Sequence, residues 1–334
     1  MHPILQSIRQ RAKAKKARIV FPESQDERTL RAVEEMAAQE LVEPILLGKP
    51  EEIIASFERL NLPFHDGKIR IVDFEPAKLS DYADEYFHLR QHKGISRSDA
   101  EKTMHHPLFW GAMMVRRGEV DGCIAGAVNT TADVLRAAIQ VIGVDKEHTN
   151  LVSSFFLMAF PLEHPSAAGR VFTFADCGVV PYPSAEELAD IAITSAQSHQ
   201  MLTGEKPKVA MLSFSTKGSA LHESVEKVIR ATEIAKARCP DLEIDGELQF
   251  DAAFVESVGK RKAPDSPVAG RANVFIFPNL DAGNIGYKLT ERLGGATAIG
   301  PVIQGLAKPM NDLSRGAKPS DIVDMACVCA VRMK

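Results

Sequence analysis

Three side chains with complementary chemistry lie within eight residues of one another near the end of the chain. Ser314 and Arg315 stand in a predicted loop, and Asp321 falls in the first turn of a helix that should open at about Pro319, since proline is favoured at the first helical position. A hydroxyl can donate a hydrogen bond, a guanidinium can neutralise a phosphate, and a carboxylate can take a proton. The spacing alone favours a plainer interpretation, in which Asp321 complements the helix dipole and Arg315 is a solvated charge.

A second candidate site follows the predicted strand 122–125. A turn of small residues leads from this strand to Asn129, Thr130 and Thr131 at a helix start, and Arg136 stands about one turn further on. Free backbone N–H groups and the dipole at a helix N-terminus attract anions, and an arginine suits a phosphate. The alternative is an ordinary helix cap beside a solvated arginine.

Other candidate sites carry weaker signals. The polar loop 212–219 does not match the spacing of a nucleotide-binding P-loop, and no dinucleotide-binding glycine motif follows an early strand. His88 and His92 are four residues apart but belong to no metalloprotease signature, so we predict no metal site. No motif supplies Cys177 with a base, and we expect it to be a buried small side chain.

The elements that must position these residues alternate along the whole chain. Short β-branched runs are followed by loops and then by longer helical patterns, which is typical of βαβ units in a mostly parallel sheet covered on both faces. We therefore predict an α/β fold, and 334 residues are enough for two domains. Ligand sites in such sheets lie beyond the carboxyl ends of the strands. The predicted strands include residues 18–21, 44–47, 69–72, 122–125, 170–174, 209–214, 273–277 and 299–304.

Composition excludes several classes of partner. The net charge is −4 with both signs spread along the chain, which argues against a general nucleic-acid or membrane-surface binder. There is no apolar run long enough for a transmembrane helix and no secretory signal pattern. The five cysteines form no CxxC pair, so we expect reduced thiols in a cytoplasmic protein.

Several segments together resemble the phosphate acetyltransferase family of phosphate acetyl/butyryl transferases. The resemblance spans essentially the whole chain, and its longest and most specific part ends in the motif NDLSRG. It implies reversible transfer of an acetyl group between acetyl phosphate and coenzyme A, without a metal or a permanently bound cofactor. The segments that carry it are residues 125–136, 174–193, 211–220, 245–252 and 275–316.

The resemblance also implies an architecture. Family members have two three-layer αβα domains with mostly parallel sheets, an active-site cleft between them, and a homodimeric assembly. We expect residues 1–149 and 301–334 to form the first, discontinuous domain, and residues 150–300 to form the second. On this expectation the loop of Ser314 returns to face the loop of Thr130.

Roles for individual residues follow from the same resemblance. Ser314 and Arg315 match the active-site pair of the DLSRG motif, and Asp321 matches the proposed base seven residues after the serine. Arg136 and Arg90 resemble arginines that bind the phosphate-bearing substrates. We expect Asn129, Thr130 and Thr131 to contact substrate as well, and Lys288 to lie near coenzyme A.

One residue beside this site departs from the family pattern. Many relatives have a small polar capping residue where this chain has Lys318. A lysine side chain cannot accept the backbone N–H bonds that a serine would. We therefore expect Lys318 at the helix cap, with an altered local loop geometry but an intact spacing to Asp321.

The expected mechanism is direct transfer in a ternary complex, with the product acetyl phosphate passing to an acetate kinase in metabolism. Three alternatives stay open. The first is a phosphate butyryltransferase, which performs the same chemistry on a longer acyl chain. The second is a non-catalytic acetyl-CoA-sensing module like that of malic enzymes. The third is a nicotinamide-dependent decarboxylating dehydrogenase, which would need clustered metal-binding aspartates that the sequence does not convincingly offer.

Overall fold

The computed structural model describes residues 1–333, and their contacts divide them into two compact units. Unit 1 contains Pro3–Asp145 together with the chain from Leu306 onward, and unit 2 contains Lys146–Gly305. The predicted domain boundaries, after residues 149 and 300, lie a few residues from these limits. No helix within residues 1–333 is both long and apolar enough to cross a membrane.

The helices and strands alternate along most of the described chain, as the sequence pattern predicts. The α-helices are α1 (Pro3–Lys15), α2 (Glu27–Gln39), α3 (Pro50–Arg59), α4 (Pro76–Arg90), α5 (Arg97–Met104), α6 (Pro107–Arg117), α7 (Thr131–Ala137), α8 (Ala185–Thr203), α9 (Glu223–Arg238), α10 (Phe250–Phe254), α11 (Glu256–Lys262), α12 (Leu280–Arg292) and α13 (Pro319–Val331). The strands are β1 (Arg18–Phe21), β2 (Glu43–Leu47), β3 (Arg70–Val72), β4 (Gly122–Ala125), β5 (Ser153–Ala159), β6 (Val171–Ala175), β7 (Lys208–Leu212), β8 (Glu243–Leu248), β9 (Val274–Ile276), β10 (Thr297–Gln304) and β11 (Met310–Asp312).

The sheet of unit 1 is parallel throughout and has the strand order β11-β4-β1-β2-β3. Strands β1 and β4 are buried except for Arg18, as expected for strands covered on both faces. Strand β11 lies in a stretch that the sequence pattern predicts as loop. It forms because Met310, Asn311 and Asp312 pair with β4, almost two hundred residues earlier in the chain.

The sheet of unit 2 has the order β10-β5-β6-β9-β7-β8. Strand β5 is antiparallel to both β10 and β6, whereas β6, β9, β7 and β8 are parallel to their neighbours in the remaining pairs. The prediction of an α/β fold with mostly parallel sheets is therefore confirmed.

Each unit has its own hydrophobic core. Trp110 is fully buried in unit 1, where its ring contacts Phe74 and Tyr82 at centroid distances of 5.0 and 4.8 Å. The core of unit 2 is rich in aromatic rings, among them Phe172 and Phe275, which lie 5.6 Å apart. Buried rings contribute a large apolar area per side chain to each core.

The end of the chain is part of the fold of unit 1. Helix α13 packs on α1 and α2, and its inward face from Ile322 to Val331 is almost wholly buried. Arg9 on α1 connects the three helices, because its guanidinium donates to Asp324 on α13 at 2.8 Å and to Glu35 on α2 at 2.9 Å. The segment that carries Ser314 and Asp321 is thereby held between β11 and α13.

Candidate active site

Three loops meet at one edge of the sheet of unit 1, beyond the carboxyl ends of β1, β4 and β11. These strands are neighbours in the sheet, so the residues that follow them are brought together. The backbone N–H of Leu313 donates to Ala125 O at 2.8 Å, and the Thr131 hydroxyl donates to Asp312 Oδ2 at 2.6 Å. The structure therefore places the loop of Ser314 beside the loop of Thr130, as the sequence analysis predicts.

Ser314 and Arg315 are exposed in the loop between β11 and α13. Ser314 closes a tight turn, in which its carbonyl accepts the N–H of Ala317 at 2.8 Å and its Oγ accepts the N–H of Gly316 at 3.3 Å. Since Oγ is an acceptor in the turn, its own proton stays available for donation. The side chain can thus offer a hydrogen bond to a bound group.

Asp321 is the third residue of α13 and is also exposed. Its Oδ2 accepts the backbone N–H of Lys318 at 2.8 Å, and the Ser320 hydroxyl lies 3.4 Å from Oδ1. Lys318 is the N-cap, as predicted. The carboxylate of Asp321 reaches back to this cap, so the loop keeps half of a capping box although the usual capping side chain is missing.

The turn before Thr130 is not open to a substrate anion through its backbone. Its N–H groups converge on the buried carboxylate of Glu23, with N–O distances of 2.9 Å from Gly126, 2.7 Å from Ala127, 3.2 Å from Val128 and 2.8 Å from Asn129. The side-chain amide of Asn129 also donates to Glu23 at 2.7 Å. An internal carboxylate therefore occupies the N–H groups of the turn itself, and they are not free for a substrate anion.

Helix α7 begins at Thr131 with Thr130 as its N-cap, as predicted. Thr130 Oγ1 accepts the N–H of Asp133 at 3.2 Å, and the helix continues as a π-helical turn over Ala138–Ile142. Arg136 is half-exposed and forms an ion pair with Asp133, with an Nη1–Oδ1 distance of 2.7 Å. Of the predicted phosphate ligands, this arginine is the one that shares an element with Thr131.

The two remaining predicted site residues lie on other elements. Arg90 is the last residue of α4, where its charge acts on the hydroxyl of Tyr86. Lys288 belongs to unit 2, on α12, with its Nζ 5.8 Å from the centroid of the Tyr287 ring. Of the predicted site residues, Lys288 is therefore the one that belongs to unit 2, and the others belong to unit 1.

Asp312 is a buried carboxyl beneath the site that the sequence analysis does not select. Burial raises its pKa to about 6, against the effect of the Thr131 hydrogen bond, and the negative charge of Glu23 raises it further. Its Oδ1 has no hydrogen-bond partner among residues 1–333. The signal in the sequence is its position two residues before Ser314, at the end of a strand that is not predicted.

Glu23, Asp26 and Arg28 are the other residues that the sequence analysis misses. They follow β1, so the rule that sites lie beyond the carboxyl ends of strands could have found them. Asp26 caps α2 and binds the guanidinium of Arg28, with an Nη2–Oδ2 distance of 2.8 Å. Arg28 also donates to backbone carbonyls of both other loops, including Arg315 O at 2.7 Å and Ala127 O at 2.6 Å.

The cysteine thiols of unit 1 and Cys177 are unsuited to nucleophilic catalysis. Cys177 is fully buried, as predicted, and burial raises its pKa well above the ordinary value. Burial likewise raises the pKa of Cys327 and of Cys329 to about 12, and that of Cys123 well above its usual range. Because the thiolate is the reactive form, these side chains are inert near neutral pH.

Comparison with known proteins identifies the family. The family model for phosphate acetyl/butaryl transferase matches residues 3–330. The chain belongs to this family. It is 49% identical over 330 residues to a phosphate acetyltransferase of Thermoanaerobacterium thermosaccharolyticum, with 98% of this chain and 99% of the relative covered. It is 48% identical over 328 residues to one of Acetivibrio thermocellus, with 98% and 97% covered.

A solved structure shares the same fold over nearly the whole chain. A phosphotransacetylase from Streptococcus pyogenes superposes with a TM-score of 0.92 at 42% sequence identity, with 98% of this chain and 97% of that chain covered. As a member of the phosphate acetyl/butaryl transferase family, the protein is an acyltransferase enzyme. The family assignment applies to both units, since the match begins in α1 and ends in α13.

Proposed function

We propose that the protein is a phosphate acetyltransferase, which interconverts acetyl phosphate plus coenzyme A with acetyl-CoA plus phosphate. One observation carries the proposal: Ser314, Arg315 and Asp321 are all exposed on the segment that joins β11 to the first turn of α13, beside the Thr131 loop. The names of the full-length relatives support acetyl as the acyl group.

Proton transfer from the thiol is the first task in the proposed mechanism. A free thiol has a pKa near 8.5, so at neutral pH most of the coenzyme A is protonated and unreactive. Asp321 is the proposed general base. Its exposed carboxylate can meet an incoming thiol, and its bond to the N–H of Lys318 orients the side chain.

Attack of the thiolate on the acetyl carbonyl follows. Negative charge develops on the carbonyl oxygen, and the Ser314 hydroxyl is the proposed donor to it. The C–O bond to phosphate then breaks, and Arg315 neutralises the departing phosphate. We propose direct transfer in a ternary complex, and the high pKa of the buried thiols favours this over a cysteine acyl-enzyme.

We assign substrate binding to side chains, since the carboxylate of Glu23 already accepts the backbone N–H groups of the turn before Thr130. We propose Arg136 and Arg90 as ligands of the phosphate groups, with Asn129, Thr130 and Thr131 lining the same region. Lys288 is proposed to contact coenzyme A. No permanently bound cofactor has a role in this scheme, and coenzyme A acts as a substrate.

The assembly, location and metabolic place of the enzyme extend the proposal. We propose a homodimer in the cytoplasm, with acetyl phosphate exchanged with an acetate kinase. Cysteines that remain as free thiols in residues 1–333 agree with a reducing compartment.

One assay tests the function directly. The absorbance of the thioester is followed as purified protein is mixed with coenzyme A and acetyl, propionyl or butyryl phosphate in turn. We expect the fastest turnover with acetyl phosphate, and no turnover in the Ser314→Ala/Asp321→Asn double variant. A faster rate with butyryl phosphate would identify a butyryltransferase instead. Tight binding of acetyl-CoA without thioester formation in any mixture would indicate a sensing module.

A further inference from the structure

Arg28 is a cationic side chain that lies among the three site loops and has no role in the mechanism above. It is the second residue of α2, directly after the β1 loop, and its side chain is 30% exposed. Its guanidinium is held in place on one side by Asp26, which binds Nε at 3.1 Å and Nη2 at 2.8 Å. This two-point contact fixes the plane of the guanidinium.

The other N–H groups of Arg28 reach the loops that follow β4 and β11. Nη2 donates to Ala127 O at 2.6 Å, in the β4 loop. Nη1 donates to Arg315 O at 2.7 Å and to Ala317 O at 3.3 Å, in the β11 loop. The carbonyls of Arg315 and Ala317 flank Gly316, so one guanidinium fixes the backbone on both sides of this glycine.

All the donors of this guanidinium are in use. Arginine has five N–H donors, and the five contacts to Asp26, Ala127, Arg315 and Ala317 account for all of them. No donor is left for a substrate phosphate. The contacts therefore assign Arg28 to the protein itself and not to a bound ligand.

We infer that Arg28 is a positioning residue, which sets the conformation of the loop that carries Ser314 and Arg315. It acts through the backbone carbonyls and does not touch the reacting atoms. Glu23, in the same β1 loop, also binds the β4 loop. Its carboxylate accepts the N–H groups of Gly126 and Ala127, whereas Arg28 donates to the carbonyl of Ala127. The inference rests on the proposed function only where activity is the readout.

Lysine cannot replace Arg28 in this arrangement. It keeps the positive charge beside Asp26, but its three donors lie on one nitrogen and cannot reproduce the five planar contacts that the guanidinium makes to Asp26 and to both loops. A misplacement of about 1 Å in an active site can cost about 10²-fold in rate. Arg28→Lys should therefore keep the fold and lose activity.

The experiment compares Arg28→Lys and Arg28→Ala with wild type, and uses Arg31→Lys and Arg31→Ala as controls. Arg31 lies on the same helix and bonds only to Glu27 on the surface among the contacts described. Each variant is assayed for kcat and for KM of acetyl phosphate and of coenzyme A. Amide hydrogen exchange is measured in parallel over residues 126–129 and 314–317, and the Arg28→Ala assay is repeated with added guanidinium ion.

We expect kcat of Arg28→Lys to fall about 10²-fold with little change in either KM. Exchange should become faster at Gly316 and Ala317, and guanidinium should restore part of the activity of Arg28→Ala. The Arg31 variants should match wild type in every measurement. Unchanged exchange and kcat in Arg28→Lys would overturn the inference, as would a raised KM with unchanged kcat, which would make Arg28 a substrate ligand. If wild type forms no thioester, the proposed function fails, while the exchange data still decide the role of Arg28.

Discussion

Two aspartates of the DLSRG region stand nine residues apart and have opposite surroundings. Asp321 is exposed at the start of α13, with one oxygen on the Lys318 N–H. Asp312 is 1% exposed, holds the Thr131 hydroxyl, and has a pKa of about 6 because of burial and the nearby Glu23. An exposed carboxylate suits an encounter with substrate, whereas a buried one suits a structural bond between two loops.

The raised pKa of Asp312 predicts how stability depends on pH. Because its folded pKa of about 6 lies above the ordinary value of 3.8, folding favours the protonated form. The stability that the protonated Asp312 carboxyl contributes is then fully present below about pH 4 and is lost as the pH rises from there through 6. The difference between a pKa of about 6 and one of 3.8 corresponds to about 3 kcal/mol. Asp312→Asn does not titrate at this position. The free energy of unfolding of the variant minus that of wild type should therefore be about 2–3 kcal/mol larger at pH 7 than at pH 4.

Urea denaturation at a series of pH values checks this prediction. The matched control is Asp66→Asn, since Asp66 is exposed and accepts only the N–H of the adjacent Gly67 among the contacts described. The control should follow the pH dependence of wild type. Parallel curves for Asp312→Asn and wild type would show that Asp312 does not titrate in this range.

Asp321→Asn separates the chemical role of Asp321 from its structural one. An asparagine oxygen can still accept the N–H of Lys318, so the helix start is kept, but the amide cannot take a proton from a thiol. We expect kcat to fall by about 10²–10⁴-fold with little change in KM or in melting temperature. Steady-state kinetics with both substrates measures this. Turnover at the wild-type rate would remove Asp321 from the mechanism.

At the scale of elements, the site depends on a close approach between the loops after β4 and β11. Gly126 adopts a φ of +105°, which L side chains rarely occupy, and a Cβ there would press against Asp312 Oδ1 and lie 2.6 Å from Leu313 N. Two constraints therefore act on one position. Only glycine satisfies both the backbone conformation and the space between the loops.

Gly126→Ala should consequently destabilise unit 1 by about 2–4 kcal/mol, as the sum of a conformational cost and a steric one. Gly94→Ala is the control, because Gly94 has a φ of +79° but nothing within 4 Å of the added Cβ. That variant should lose only about 1–2 kcal/mol. Chemical denaturation measures both. Equal losses would mean that the β11 loop yields to the added methyl group.

At the scale of the whole molecule, the chain leaves unit 1 and returns to it. Unit 2 is one continuous segment, Lys146–Gly305, with its own sheet and aromatic core. Unit 1 needs both ends of the chain, since β11 pairs with β4 and α13 packs on α1 and α2. The two segments of unit 1 meet where Val144 pairs with Leu306 and the N–H of Ala307 donates to Gly143 O at 3.0 Å.

This arrangement predicts which fragments fold. Residues 146–305 alone should give a cooperative thermal transition by circular dichroism, because their sheet and core are complete. Residues 1–145 alone should not, since they lack β11 and α13. Joining residue 145 to residue 306 by a short glycine linker should restore a cooperative transition to unit 1. A linked chain that stays unfolded would show that unit 1 depends on contacts from unit 2.

The sequence by itself determined the local features of this protein. β-branched runs and helix signals located β1, β4 and the start of α13 at Pro319, because these depend on neighbouring residues. The unusual cap at Lys318 was visible for the same reason. The DLSRG motif and the segment 125–136 were sufficient to indicate acetyl transfer, since they resemble a known family.

The tertiary structure alone decided how the candidate site is held together. Glu23 binds the β4 turn across more than a hundred residues of sequence, and Arg28 binds residues 99 and 287 positions away. Strand β11 forms only because β4 offers it an edge. Such bonds have no local signal, because their partners become neighbours only when the sheet aligns the carboxyl ends of its strands. Ser314, Arg315 and Asp321 can be named from the chain, but the loops that Glu23 and Arg28 bind are known only from the fold.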